Sequence, residues 1–166
     1  VIKRMCLVFC VFGAACGSSG DDTVGPKITP HVSPVQLGEF WPQGAEDADP
    51  GNNERTPFEW VLLLQNEGDE TLKVSKACLI GNDSNNFVLE GPVPADIRGG
   101  DEGAVRLTYG RTSPGSDRVA ILVESNATKF SRLIVPVCAA VVADGADKNK
   151  AVPPCEFEVP ADAVCP

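Results

Sequence analysis

Histidine is almost absent from this chain of 166 residues: His31 is the only one. A Ser/His/Asp or Cys/His arrangement needs a base beside its nucleophile. His31 is the single candidate, and it lies in the N-terminal stretch on what reads as an ordinary strand-leading segment. No C-x-x-C pair occurs, so a four-cysteine metal site lacks its usual spacing. Gly99-Gly100 stands before a strand pattern, with no following helix and no Lys-Ser/Thr. It reads as a tight turn rather than a phosphate cradle. Basic residues are in deficit, 14 against 23 acidic, for a net charge of −9. That balance argues against nucleic acid and against anionic lipid surfaces. No run reaches the ~18 apolar residues needed to span a bilayer. Val61–Leu64 and Leu133–Ala143 are shorter and read as strands. No segment carries a helical period, and 30 of 166 residues are Gly or Pro, which disfavours long helices. The expectation is a chain that is not an enzyme, takes no cofactor or metal, and shows no evident small-molecule substrate. The nearest approach to a cation site is Asp47 and Asp49, which have the first spacing of a calcium loop. The rest of the Gly44–Arg55 segment breaks that pattern and reads as a solvated acidic loop.

What is present begins at the N-terminus. Lys3 and Arg4 precede the apolar run Met5–Ala15, and Cys16-Gly17-Ser18-Ser19-Gly20-Asp21-Asp22 follows. A basic start, a short apolar stretch and a small-residue exit are the marks of a secretory signal. The exit Gly13-Ala14-Ala15-Cys16 resembles the lipobox of bacterial lipoproteins, with Gly13 where that family usually has Leu. The resemblance implies diacylglycerol on the Cys16 thiol and cleavage before it. It also implies an exported chain held in a membrane by its lipid, and Gly17 after the cysteine points to the outer membrane. Residues 1–15 are then signal, and 16–27 a lipidated cysteine with a flexible tether rich in Gly, Ser and Asp. Loss of Lys3 and Arg4 takes the net charge from −9 to −11.

Residues 28–143 alternate short apolar runs with turn clusters, the spacing of an all-β sandwich. Phe58, Trp60, Leu62 and Leu64 share one face of a strand by the period of two. Asn66–Glu70 is a turn, in which Gly68 is expected to supply a positive φ, and Thr71–Ile80 is the partner strand. Phe87–Leu89 is a short strand. Val105, Leu107 and Tyr109 alternate with Arg106 and Thr108, and Val119, Ile121 and Val123 share one face of the strand Arg118–Ser125. Phe130–Val142 is the last long strand, and an early one lies within Val35–Trp41. About seven strands over this length predict an immunoglobulin-like antiparallel β-sandwich. Residues 144–166 form a polar linker and a segment too rich in proline for a central strand.

The ordered series Val61–Gly68, Leu72-Lys73-Val74, Leu79-Ile80-Gly81, Asn86–Leu89, Val105–Tyr109, Val119–Asn126 and Ile134–Val137 resembles a known family. It is similar to the immunoglobulin-like domains of the abnormal-spindle, Hydin and major-sperm-protein (ASH-type) relatives. The resemblance implies a sandwich used for binding or as a spacer, without catalysis. Cys78 and Cys138 are not part of that pattern.

Four cysteines besides Cys16 follow the signal: Cys78, Cys138, Cys155 and Cys165. An even count in an exported chain points to two disulfides. Cys78 and Cys138 fall on strands that flank a third in an immunoglobulin-type sheet. That separates them by nearly 10 Å, beyond the ~7 Å reach of a disulfide. Each should therefore bond to 155 or 165, stapling the tail across the sheet's outer face. The functional expectation is a lipid-anchored envelope protein that binds another envelope or extracellular component. A structural spacer is the alternative, and an unrecognised enzyme a distant second one.

Overall fold

The computed structural model describes residues 24–44, 55–81, 85–143, 155, 158–160 and 162–166. The signal, Cys16, the Asp47/Asp49 loop and the linker 144–154 lie outside the described residues. Among the described residues nine strands are formed: β1 (Ile28–Pro30), β2 (Val35–Phe40), β3 (Phe58–Asn66), β4 (Leu72–Ile80), β5 (Phe87–Glu90), β6 (Asp96–Ile97), β7 (Glu102–Tyr109), β8 (Gly115–Ser125) and β9 (Arg132–Val141). They make a four-stranded sheet, β1-β3-β7-β5, and a five-stranded sheet, β2-β9-β8-β4-β6. The fold is an immunoglobulin-like β-sandwich, and no helix occurs among the described residues.

Two details correct the sequence reading. The seven expected strands are all formed, but β1 and β6 bring the number to nine. At 3 and 2 residues they are too short to show an alternating pattern. The sandwich is also not wholly antiparallel. β2 runs parallel to β9, from Val35 opposite Val137 to Phe40 opposite Val141, with a register shift between Gln36 and Gly38. A pairing between the first and last parts of a chain needs no hairpin, so no turn chemistry betrays its direction.

The core lies between the sheets. Leu62 and Leu64 from β3 and Val105, Leu107 and Tyr109 from β7 meet Val119, Ile121 and Val123 from β8 and Val135 and Val137 from β9. Full burial of each such aliphatic side chain stabilises by about 1.5–3 kcal/mol. Phe58 and Trp60 are half-buried and pack against the same core. Tyr109 is fully buried, its ring 4.7 Å from that of Phe87 and 5.8 Å from that of Phe40.

One end of the sandwich is built around Asn66, whose side chain is fully buried. Its Oδ1 accepts from Lys27 N (3.1 Å) and Gly68 N (3.1 Å), and its Nδ2 donates to Glu70 O (2.7 Å) and Ile97 O (2.9 Å). Every hydrogen-bonding site of the amide is used, as burial requires. Gly68 is needed here for a reason other than the expected positive φ. A Cβ on it would sit 1.8 Å from the carbonyl oxygen of Gly25. The expected tether is shortened too. Gly25 and Pro26 are buried; Gly25 N donates to Asp69 Oδ1 (2.8 Å), and Pro26 O accepts from Thr128 N (3.0 Å). Lys27 Nζ lies 2.9 Å from Glu67 Oε2, and its hydrogen bond holds that carboxyl below the usual range. Residues 24–27 therefore belong to the folded body.

Candidate functional site

The outer faces of the two sheets differ, and that difference defines the candidate site. On the five-stranded sheet, Cys78 pairs with Leu122 and Leu122 with Ile134 across β4, β8 and β9. The next row is Ile80, Ala120 and Pro136. These residues alternate with the core set and so point outward. Leu122 and Ala120 are nevertheless fully buried, and neither belongs to the inter-sheet core. The described tail residues reach this face at two points. Cys78 is bonded to Cys165 and Cys138 to Cys155. Cys165 Sγ comes within 3.8 Å of Leu122 O, and Cys155 Sγ within 3.7 Å of Val35 O. Cys155 thus sits on the β2/β9 side of the sheet, and Cys165 sits at β4 beside β8. Each strand cysteine bonds to a tail cysteine, as the spacing of Cys78 and Cys138 about an intervening strand required.

The four-stranded sheet presents an open face. Its rows are Glu59–Thr108–Val88 and Val61–Arg106–Glu90. Val61 and Val88 are 39% and 48% exposed. A shallow depression of about 500 Å³ runs along this face, lined by Pro57, Glu59, Val61, Glu90, Arg106 and Thr108 among others. β5 is an edge strand: among the described residues only β7 pairs with it.

The end of the sandwich away from Asn66 holds a polar cluster that the sequence reading did not single out. Asp117 is buried. Arg111 Nη1 donates to both its carboxylate oxygens, at 2.8 and 3.0 Å, and Tyr109 Oη and Asn86 Nδ2 donate to Oδ2, at 2.8 and 3.1 Å. Arg111 O accepts in turn from Thr56 Oγ1 at 2.7 Å. Burial, reinforced by the hydrogen bond to Asp117, pushes the Tyr109 phenol far above its ordinary value. Gly115 is fixed by this cluster, because a Cβ there would fall 2.0 Å from Arg111 Nη2. The signal was legible: Asp117 is in phase with Val119, Ile121 and Val123, so a charge stood on the core side of β8. The cluster joins β7 to β8 and has every carboxylate partner internal, so it is a fastening rather than an open site.

His31 Nε2 lies 2.8 Å from Glu102 Oε1, both side chains being exposed. No group of three or more His, Cys, Asp and Glu side chains among the described residues could hold a metal ion.

No protein-family model matches the chain, and no curated protein matches it. Solved structures share its fold. A protein of unknown function from Porphyromonas gingivalis W83 is 11% identical over 74% of this chain and 50% of its own length, with a TM-score of 0.52. The secreted serine protease VesC from Vibrio cholerae is 12% identical over 69% of this chain, with a TM-score of 0.50. The chain spans only 23% of VesC. The ASH/PapD-like domain of human CEP192 is 14% identical over 85% of this chain and 99% of that domain, with a TM-score of 0.46. At such identities the likeness is one of fold.

Proposed function

We propose that this chain is a lipid-anchored cell-envelope protein, non-enzymatic, whose immunoglobulin-like domain binds another envelope or extracellular protein through the open face of its four-stranded sheet. The lipid anchor rests on Gly13-Ala14-Ala15-Cys16 and on export, for which two disulfides speak. The binding half rests on one observation. The chain covers and staples the apolar outer face of one sheet but leaves Val61 and Val88 in solvent on the other. Nucleic acid is disfavoured as a partner by the net charge of −9.

Two measurements test this reading. Labelled fatty acid should enter the wild type and not Cys16→Ser, because the thiol is the acylated nucleophile; label in the variant, with membrane partitioning kept, would refute the anchor. A photo-crosslinker at position 61 should capture one saturable partner in intact cells, and the same group at exposed Arg118 on the other sheet should not. Capture at neither position would favour a spacer.

A further inference from the structure

The two disulfides that staple the tail are unequally shielded. Cys138 and Cys155 are each 4% exposed, whereas Cys78 and Cys165 are only half-buried. Among the described residues, the contacts of the segment that carries Cys165 include Cys165 N to Glu124 Oε1 at 3.4 Å, Cys165 Sγ to Leu122 O at 3.8 Å, Ala163 N to Pro160 O at 3.0 Å, and Lys76 Nζ to the carbonyls of Cys165 and Pro166. Beneath it lies Leu122, fully buried, in a row with Cys78 and Ile134. The more accessible bond is therefore the one that closes the cover over an apolar strip.

We propose that Cys78–Cys165 is a thiol–disulfide exchange site for a dithiol reductant, and that its opening releases the Cys165 segment (residues 162–166) and uncovers Leu122 while Cys138–Cys155 stays closed. One thiolate of the dithiol attacks a sulfur of the Cys78–Cys165 bond. A mixed disulfide forms, and the other cysteine leaves as a thiolate that takes up a proton. The second thiol of the reductant loses its proton and displaces the remaining cysteine. The reductant closes to its own disulfide, and the two electrons it gives up appear as two protein thiols. Access governs the order, because an attacking thiolate must reach a sulfur in line with the bond. Cys138–Cys155 offers no such approach in the folded state. The tail then stays tethered at Cys155 and can close again on oxidation. This inference goes beyond the binding reading and does not rest on the lipid anchor.

The test is graded reduction of the folded full chain with dithiothreitol, trapping thiols by alkylation and mapping them by peptide mass. Hydroxyl-radical footprinting of Leu122 is followed in the same samples. The expected result is alkylation of Cys78 and Cys165 at a dithiothreitol concentration at least tenfold below that needed for Cys138 and Cys155. Leu122 labelling should rise several-fold at the first step. Reduction of both bonds together, or of Cys138–Cys155 first, would overturn the exchange site. Opening of Cys78–Cys165 with Leu122 still protected would overturn the uncovering. The paired variant Cys78→Ser with Cys165→Ser should show raised Leu122 labelling without reductant, and melting followed by circular dichroism confirms that it is folded.

Discussion

β7 and β8 are interior strands of the two sheets, and they read differently. β7 runs Glu102-Gly103-Ala104-Val105-Arg106-Leu107-Thr108-Tyr109, alternating outward and buried positions along its length. β8 carries Val119-Ala120-Ile121-Leu122-Val123, five apolar residues in succession, all fully buried. A strand with one face in water alternates, whereas a strand covered on both faces becomes a continuous apolar run. The lesson is that β8 already implied a second cover. The tail is that cover, and its two cysteines hold it there.

The sharpest way to break the comparison is to place a charge on each outer face. Leu122→Asp buries an unpaired carboxylate and should cost about 4 kcal/mol or more. Val61→Asp on the open face should stay within about 0.5 kcal/mol. Urea unfolding midpoints decide; equal costs would mean the two faces are not different in kind. Removing the outer staple by Cys78→Ala with Cys165→Ala comes next, at about 2–4 kcal/mol for a long loop. The same urea measurement applies, and a loss below ~1 kcal/mol would show the tail to be ornamental. Trp60→Ala, on the core side of the open sheet, should cost about 2 kcal/mol, less than the ~3–5 of a fully buried tryptophan, because Trp60 is half-buried. If the melting temperature does not move, Trp60 belongs to the open surface instead. The smallest effect is that of Tyr109→Phe, about 1 kcal/mol for one donor lost from Asp117. Its pH dependence is more informative. The phenol is raised in the folded state, so the stability it contributes is complete below the unfolded value of ~10 and is lost as pH rises above that. Tyr109 is the only tyrosine, so absorbance near the phenolate band follows it alone. Ionisation should coincide with alkaline unfolding rather than precede it.

Much of the sandwich was legible because period-two alternation is local. Phe58, Trp60, Leu62 and Leu64 do share the core face, and Val105, Leu107 and Tyr109 do likewise. The tail cysteines were legible through sheet geometry, since two strands separated by a third cannot share a disulfide. The parallel union of β2 with β9 was not, because its partners lie about a hundred residues apart and no turn joins them. Asn66 shows a partial reading. Its turn was recognised, but its role as a buried amide joining three backbone segments depends on residues 27 and 97, distant in sequence. The open face was hidden for a related reason: exposed valines at 61 and 88 look like core valines until the opposite side of their strands is known to be filled.

The docking of residues 25–27 against Asn66, Asp69 and Thr128 also sets a direction and a height. For a chain held at Cys16, only seven residues separate the lipidated cysteine from Val24, a span of at most ~28 Å over eight Cα steps when fully extended. In the proposed lipid-anchored arrangement the Asn66 end is the one turned toward the bilayer. β8 rises from that end over 11 residues, about 35 Å. The loops beside Asp117 stand at the far tip, and both sheets present their outer faces sideways. Anchored as proposed, such a body would meet neighbours standing on the same membrane along its flank.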